Sequence, residues 1–417
     1  MYDPLKPFLR FALSFALLFG AFALADGFRN PPTGAATQGR FGGRIAYTPD
    51  ASAVVNNPAN LIDFTEPEVL ATFTFGYSQM EYTSPTGQKL TSEDPWYVLP
   101  GFFLILPPEE NDRWAFGLGI TSPYGRSSRL DDDNLFGFST PYFTQLTSVE
   151  MAPTLSTRVN EKISLGFALN LLYSELDLRQ NFPWALAAGV PGLPEGKTLF
   201  NANGAGIGAT FAVTVQATEN QRFAATLRTP IEVEYKGDLV VTDIPPGAPA
   251  APESEFETEI SFPLVLAVAY GIQVTERLLL ETNVEWVRHS EFEQLNLDAG
   301  VNTPLLPSDS IPTEWEDNWT FGLSASYQLN PEWVLRTGYV YLESPVPSST
   351  MLPTTAEQDQ GVMSVGAGYR KDKHQVDFSY AIGIFSGRTI SDNINPAFNG
   401  DYDFEAHLVS INYGYHF

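Results

Sequence analysis

The residue types that most often carry catalysis are few here and badly placed for it. The chain has four histidines, His289, His374, His407 and His416, and no cysteine. No histidine sits in a recognisable Ser-His-Asp context, no glycine-rich phosphate loop follows a strand, and no Cys/His run has metal-ligand spacing. The acidic run Asp131, Asp132, Asp133 lacks the glycine-pinned spacing of a calcium loop and is better suited to a solvated loop. Neither enzyme chemistry nor a bound cofactor is expected. What the sequence offers instead is binding chemistry of an apolar kind. The stretch "NFPWALAAGVPGLPEGKTLF" carries Phe182, Trp184, Leu186, Val190, Leu193 and Leu199 in a segment that reads as a loop. Apolar surface of that sort marks either a capture site or a loop folded onto its neighbours. A second local signal is "VVNNPANL": Asn57 favours a helix N-cap and Pro58 tolerates the first helical position, so residues 58–63 are predicted to form a short helix ending its apolar run at Ala59 to Leu61.

The elements that must hold these residues are strands. From Glu68 onward apolar side chains recur at every second residue. In "RWAFGLGITS", Trp114, Phe116, Leu118 and Ile120 share a face. In "KISLGFALNLLYS" the same parity holds from Ile163 to Tyr173, and "NWTFGLSASYQL" and "HQVDFSYAIGIF" repeat it. A soluble sandwich alternates too, so the connections decide. Very short turns at 107–112, 160–162, 218–220, 275–277, 330–332 and 371–373 alternate with long polar or Pro-rich loops near 83–95, 125–140, 181–202, 237–255, 292–312, 345–358 and 386–400. Tight periplasmic turns against long outer loops are how outer-membrane barrels are built. The fold class is therefore all-β, a transmembrane antiparallel β-barrel of about fourteen strands, even in number as both termini on one side require. Its lumen is too wide for wall side chains to fill, so a plug made from residues 26–66 is geometrically reasonable. Arg228, Glu232, Glu234, Lys236 and Asp377 are expected to face the wet interior. Trp114, Phe223 and Trp333 after the short turns, and Trp286 and Trp319 beside long loops, mark the two interfaces.

Residues 1–25 read as a signal peptide. Lys6 and Arg10 precede the apolar "FALSFALLFGAFALA", and Ala23-Leu24-Ala25 fits the cleavage pattern. The domain reading is thus 1–25 signal peptide, 26–66 hatch, 67–417 barrel. The formal charge of −26 becomes one unit more negative when the signal is removed, so nucleic acid is not a partner.

These segments together resemble the FadL-type long-chain fatty acid and hydrocarbon transporters of the Gram-negative outer membrane. The resemblance spans nearly the whole mature chain. It rests on "DGF" after residue 25, "NPA" at 57–59, "FGLGITSPYG" at 116–125, "RFAATLRTPIEVEYKGDL" at 222–239, "NWTFGLSASYQLNPEWVLRTG" at 318–338, "ESPVP" at 343–347, "EQDQ" at 357–360 and the aromatic C-terminus. What the resemblance implies is passive uptake of hydrophobic molecules. An outer-loop groove captures them, a lumen pocket receives them, and a kink in the third strand releases them sideways. By resemblance, Gly27 and Phe28 line the pocket, Asn57, Pro58 and Ala59 belong to the hatch, and Ser122, Pro123, Tyr124 and Gly125 form the kink. Arg179 falls near a basic residue the family uses for its ligand, and Ser122 matches a hydroxyl. Within "PSDSIPTEWEDNW" no lysine corresponds to the family's, and Arg288 and His289 are substitutes by strand position. Neutral hydrophobic substrates therefore stand open beside fatty acids. The expected surroundings are outer-membrane lipid and lipopolysaccharide, with the protein a monomer. A diffusion porin for polar solutes and a lipid-acting outer-membrane enzyme are the alternative readings. The physical reading of the residues agrees at the kink, because Pro123 has no N–H to give a neighbouring strand.

Overall fold

The computed structural model describes residues 26–108, 113–247, 253–299 and 310–417. The predicted signal peptide lies outside the described residues. Among them, fourteen strands cross in chain order and close on themselves. They are β1 Glu68–Thr83, β2 Trp96–Leu106, β3 Trp114–Thr121 continued by Gly125–Arg129, β4 Phe143–Asn160, β5 Ile163–Phe182 and β6 Gly196–Thr218. Next come β7 Gln221–Arg228 continued by Ile231–Val241, β8 Glu253–Phe262 continued by Leu264–Thr275, β9 Leu278–Arg288 and β10 Asn318–Gln328. The last four are β11 Trp333–Leu342, β12 Gln360–Lys371, β13 His374–Ile384 and β14 Gly400–His416. Each pairs antiparallel with the next, and β1 pairs with β14 from Glu68↔His416 to Thr83↔Asp401, so the sheet has no free edge.

Period-two alternation has an unambiguous sense in this closed sheet. Phe73, Phe75, Phe116, Phe167, Phe211, Leu323 and Phe378 point out and are exposed, while Thr72, Thr74, Ser156, Asn170 and Ser410 point in and are buried. Large apolar side chains outside and small polar ones inside is the inverse of a soluble core, and it suits a wall surrounded by lipid.

Three of the expected interior positions are not interior. Arg228 and Asp377 face the lumen, but Glu232, Glu234 and Lys236 are exposed on the outer face, and Ile231, Val233 and Tyr235 are the buried set. The reason is local. At Thr229-Pro230 the strand takes up one residue beyond its partner and the side-chain phase inverts, as a bulge requires.

The interior is occupied by the segment before β1. It contains two helical turns, α1 Ala35–Gln38 and α2 Ala53–Asn56, and a 3-10 helix over Pro58–Asp63. Asn57 caps that last helix: its backbone is extended and its side-chain oxygen accepts the Ala59 N–H at 2.9 Å, with Pro58 first in the turn. The Asn57 amide donates in turn to Ile45 O at 2.8 Å and Thr214 Oγ1 at 2.9 Å. Ser156 of β4 and Thr214 of β6 bond Ala59 and Asn60 from the wall. Every partner named is buried, so this contact is fixed by hydrogen bonds rather than by apolar area alone.

Candidate functional site

The wall fails at one place in β3. The ladder to β4 runs to Thr121↔Glu150 and restarts at Gly125↔Thr147, leaving three residues of β3 opposite two of β4. On its other side β3 pairs with β2 only from Phe116 to Ile120, so Trp96 to Gly101 of β2 have β1 as their ladder partner and nothing across from them on β3. Pro123 removes a donor there. The remaining polar groups of the break are met from inside. The Gly125 N–H donates to Phe28 O at 2.9 Å, the Asn30 N–H donates to Pro123 O at 2.9 Å, and the Asn30 amide donates to Ser122 O at 2.9 Å. Ser148 of β4 accepts the Tyr124 N–H at 3.1 Å. Residues 28–30 thus act as a short extra strand laid over the break. A Cβ on Gly125 would lie 3.1 Å from the Asn30 amide nitrogen, so a side chain there would have to push that amide back by a few tenths of an ångström.

Below this contact lies a lumen cavity of ≈ 150 Å³, bounded by the N-terminal segment and by Thr121, Pro123, Glu150, Thr210, Arg228 and Val265 of the wall. Its charges are all matched. Arg29 bonds Asp26 and Glu285 at 2.7 Å each, Arg44 bonds Glu285 at 2.5 Å, and Arg228 bonds Glu150. The Arg228 Nε also donates to the Tyr124 hydroxyl at 3.0 Å. A ligand carboxylate would have to displace a protein carboxylate to reach any of these cations.

Above it is an aromatic cluster built around Phe28. Its ring meets Trp315 at 4.5 Å, Phe292 at 4.9 Å and Phe262 at 5.9 Å, and Tyr124 stacks on Phe262 at 4.3 Å. Gly27 has φ +64, and a Cβ on it would lie 2.6 Å from His289 Nε2 and 2.9 Å from Trp315. No other residue fits this turn without strain. Gly27 is also latched at both ends: its N–H donates to Glu357 at 3.2 Å, and its carbonyl accepts from Arg126 at 3.1 Å, with Arg126 ion-paired to Glu357 at 2.9 Å.

The sequence-predicted residues therefore divide. Gly27, Phe28, Ser122, Pro123, Tyr124 and Gly125 come together at the break, and Asn57, Pro58 and Ala59 form the hydrogen-bonded turn beneath. Phe182 and Trp184 are buried against each other under the β5–β6 loop, at 4.6 Å between rings, whereas Leu186 on the adjoining turn is 70% exposed. Arg179 does not join the site. It lies on the outward face of β5, chelated by Asp177 at 2.7 and 3.1 Å and stacked on Phe143. Arg288 is likewise exposed and paired with Glu291, while His289 is buried beside Gly27. Sequence reasoning did not find Arg126, Glu357, Phe292 or Trp315. The last two carried a signal of the same kind as Trp184, a large aromatic inside a polar outer loop.

The model of the family described as "Outer membrane protein transport protein (OMPP1/FadL/TodX)" matches residues 16–417. The long-chain fatty acid transport protein of Escherichia coli is 25% identical, over 98% of this chain and 99% of its own length. In fold, the chain is similar to the crystal structure of a Pseudomonas aeruginosa FadL homologue, with TM-score 0.81, 22% identity and coverage of 93% of this chain and 99% of that one. It is similar also to that of the Ralstonia pickettii toluene transporter TbuX, with TM-score 0.71, 18% identity and coverage of 93% and 99%. With the family matched over nearly the whole length and the closed barrel in place, this chain belongs to the OMPP1/FadL/TodX family of outer membrane transport proteins.

Proposed function

We propose that the protein carries hydrophobic molecules, long-chain fatty acids foremost, inward across the outer membrane by passive diffusion. The observation that carries this reading is the stopper at the β3 break: residues 28–30 make the hydrogen bonds that a continuous wall would make, and they belong to the segment before β1 and not to the wall. In this scheme Leu186 and its loop capture the molecule, the region of Gly27 and Phe28 receives it, and the break at Ser122 to Gly125 releases it sideways into the membrane. Residues 26–66 act as the plug and 67–417 as the barrel, after loss of 1–25. The curated relative is named for long-chain fatty acids and one solved neighbour for toluene, and the cavity speaks to both. A space of ≈ 150 Å³ is of the size that holds one aromatic ring. A long acyl chain needs more, so its passage requires Gly27 to Asn30 to lift. No cofactor or energy source enters the scheme, and lipopolysaccharide is the surrounding lipid.

The latch gives the lift a pH dependence. Burial pushes the Glu357 carboxyl up to about 7 against the opposing pull of Arg126, with Asp26 adding to the rise. Once the segment lifts and water enters, the group returns to its ordinary value near 4.5. The docked state thus holds an extra proton between those values, and docking weakens as pH rises through about 7. Hydrogen exchange at residues 27–30, corrected for the intrinsic rate, should show more opening at pH 8 than at pH 6, by no more than tenfold per pH unit. Equal opening at both would remove Glu357 from the latch.

The transport reading itself is tested on the unaltered protein. Cells lacking their own transporter of this family should gain saturable oleate uptake when they express it, and the purified protein should hydrolyse no phospholipid. Expression without any gain in uptake of oleate or toluene would defeat the proposal.

A further inference from the structure

A second interruption of the wall lies away from β3. The β6–β7 ladder runs from Thr218↔Gln221 to Thr210↔Arg228, then resumes only at Asn203↔Lys236. Between these rungs, residues 204–209 of β6 and 229–235 of β7 have no register partners across the seam. A reciprocal pair at its lower end, Thr229 N–H to Ala209 O and Ala209 N–H to Thr229 Oγ1, each 2.9 Å, marks where the ladder stops. Pro230 contributes no N–H, and β8 breaks at the same level at Pro263, where β7 and β8 remain paired as Ile231↔Phe262 above and Arg228↔Val265 below. The two strands turn inward together.

Their inward course makes an overlap. A Cβ on Gly204 would lie 2.2 Å from Glu234 O, one on Gly206 2.5 Å from Glu232 O, and one on Gly208 2.6 Å from Ile231 Cγ1. β7 therefore laps over the lumen side of β6 instead of meeting its edge. Contact of this kind is held by dispersion and parts at less cost than a run of ladder bonds.

Space exists on both faces of the wall at the rungs just below the overlap. Inside, the lumen cavity reaches Thr210, Thr226 and Arg228. Outside, an apolar groove of ≈ 470 Å³ runs over Phe211, Ala212, Leu227 and Leu266, and Thr226 borders it as well. At the rungs just below the seam, Thr226 borders both the cavity and the groove. Arg228, on the last rung before the seam, is ion-paired to Glu150, which is on the last rung before the β3 break. One buried ion pair spans from one interruption to the other.

We infer that the β6–β7 seam is a second lateral port, serving uncharged hydrocarbons that pass between the lumen cavity and the membrane. Gly204, Gly206, Gly208, Ile231 and Val233 line the overlap, with Glu232 and Glu234 on its exposed face, and it offers no free cation for a carboxylate. The inference rests on the lateral-release reading above, and the experiment separates the two. The natural chain has no cysteine, so two engineered pairs report without background: Gly208→Cys with Ile231→Cys to lock the seam, and Asn30→Cys with Gly125→Cys to lock the β3 break. Uptake of radiolabelled naphthalene is followed in cells carrying each pair, oxidised and then reduced. The seam lock should slow uptake at least threefold, with recovery on reduction. The break lock should leave a measurable remainder, and both locks together should bring uptake to the level of cells without the protein. Wild-type uptake through an oxidised seam lock, or a double lock no slower than the break lock alone, overturns the port. A break lock without effect overturns release through the β3 break. Should the seam pair fail to fold, photolabelling of the unaltered protein with an alkyl diazirine decides: label at 204–208 and 231–233 supports the port, and label confined to 122–125 overturns it.

Discussion

Replacing Gly166 by valine should turn a silent barrel into an open channel while leaving the barrel folded. Gly166 is on β5 and faces inward, and a Cβ there would lie 2.2 Å from Ala59 N and 2.3 Å from Pro58 C. Those atoms belong to backbone, which cannot swing aside as a side-chain tip does. The Pro58–Asp63 turn must leave the wall, and it takes with it the bonds from Ser156 and Thr214. Overpacking alone costs about 1–3 kcal/mol, and stranded buried donors add about 1–3 kcal/mol each. The β5 ladder to β4 and β6 lies in the wall, so heat-modifiable gel mobility should persist. In planar bilayers the variant should carry a steady current at least tenfold above that of the unaltered protein. An unchanged current would show that the turn is not what closes the lumen.

The second large effect is expected at Glu281 of β9. Its two carboxylate oxygens accept the N–H groups of Ile45, Ala46 and Tyr47 at 2.7, 2.8 and 3.1 Å, and they hold the buried Arg40 guanidinium at 2.6 Å. One side chain of the wall thus holds a turn of the interior segment through four donors. Glu281→Leu strands all four, and breaking a buried ion pair from one side costs about 3–5 kcal/mol. That corresponds to more than a hundredfold in the docked-to-undocked ratio. Tryptic cleavage after Arg40 and Arg44 should become fast in the folded barrel. Adding Arg40→Met should recover part of the loss, read as cleavage after Arg44 alone, because the unpaired charge is gone while the three amides still lack an acceptor. Full recovery would mean that charge alone mattered, and unchanged protease resistance would mean that Glu281 does not hold the segment.

Much of the wall was legible because lipid imposes one rule on every strand. The parity of Leu165 and Phe167 already assigns Arg179 to the outside, where the structure has it, although resemblance alone suggested a ligand contact. Asn57 and Pro58 were legible for a different reason: capping is decided within three residues. The errors came where one residue changes the count. A phase carried from Arg228 past Pro230 puts Glu232 and Glu234 inside, and the extra residue reverses it. Contacts across the lumen were not legible at all. Nothing in "PTEWEDNW" tells that Trp315 meets Phe28, because that meeting depends on how a loop after β9 folds over the mouth. The Arg126–Glu357 latch joins β3 to the loop before β12 for the same kind of reason.

Transport by this route requires the N-terminal segment to leave the β3 break. The measurement is oleate uptake by cells carrying the Asn30→Cys, Gly125→Cys pair, compared before and after reduction. Uptake lost in the oxidised protein and regained on reduction is the predicted result. Uptake at the unaltered rate, with the disulfide shown to be formed, would contradict it.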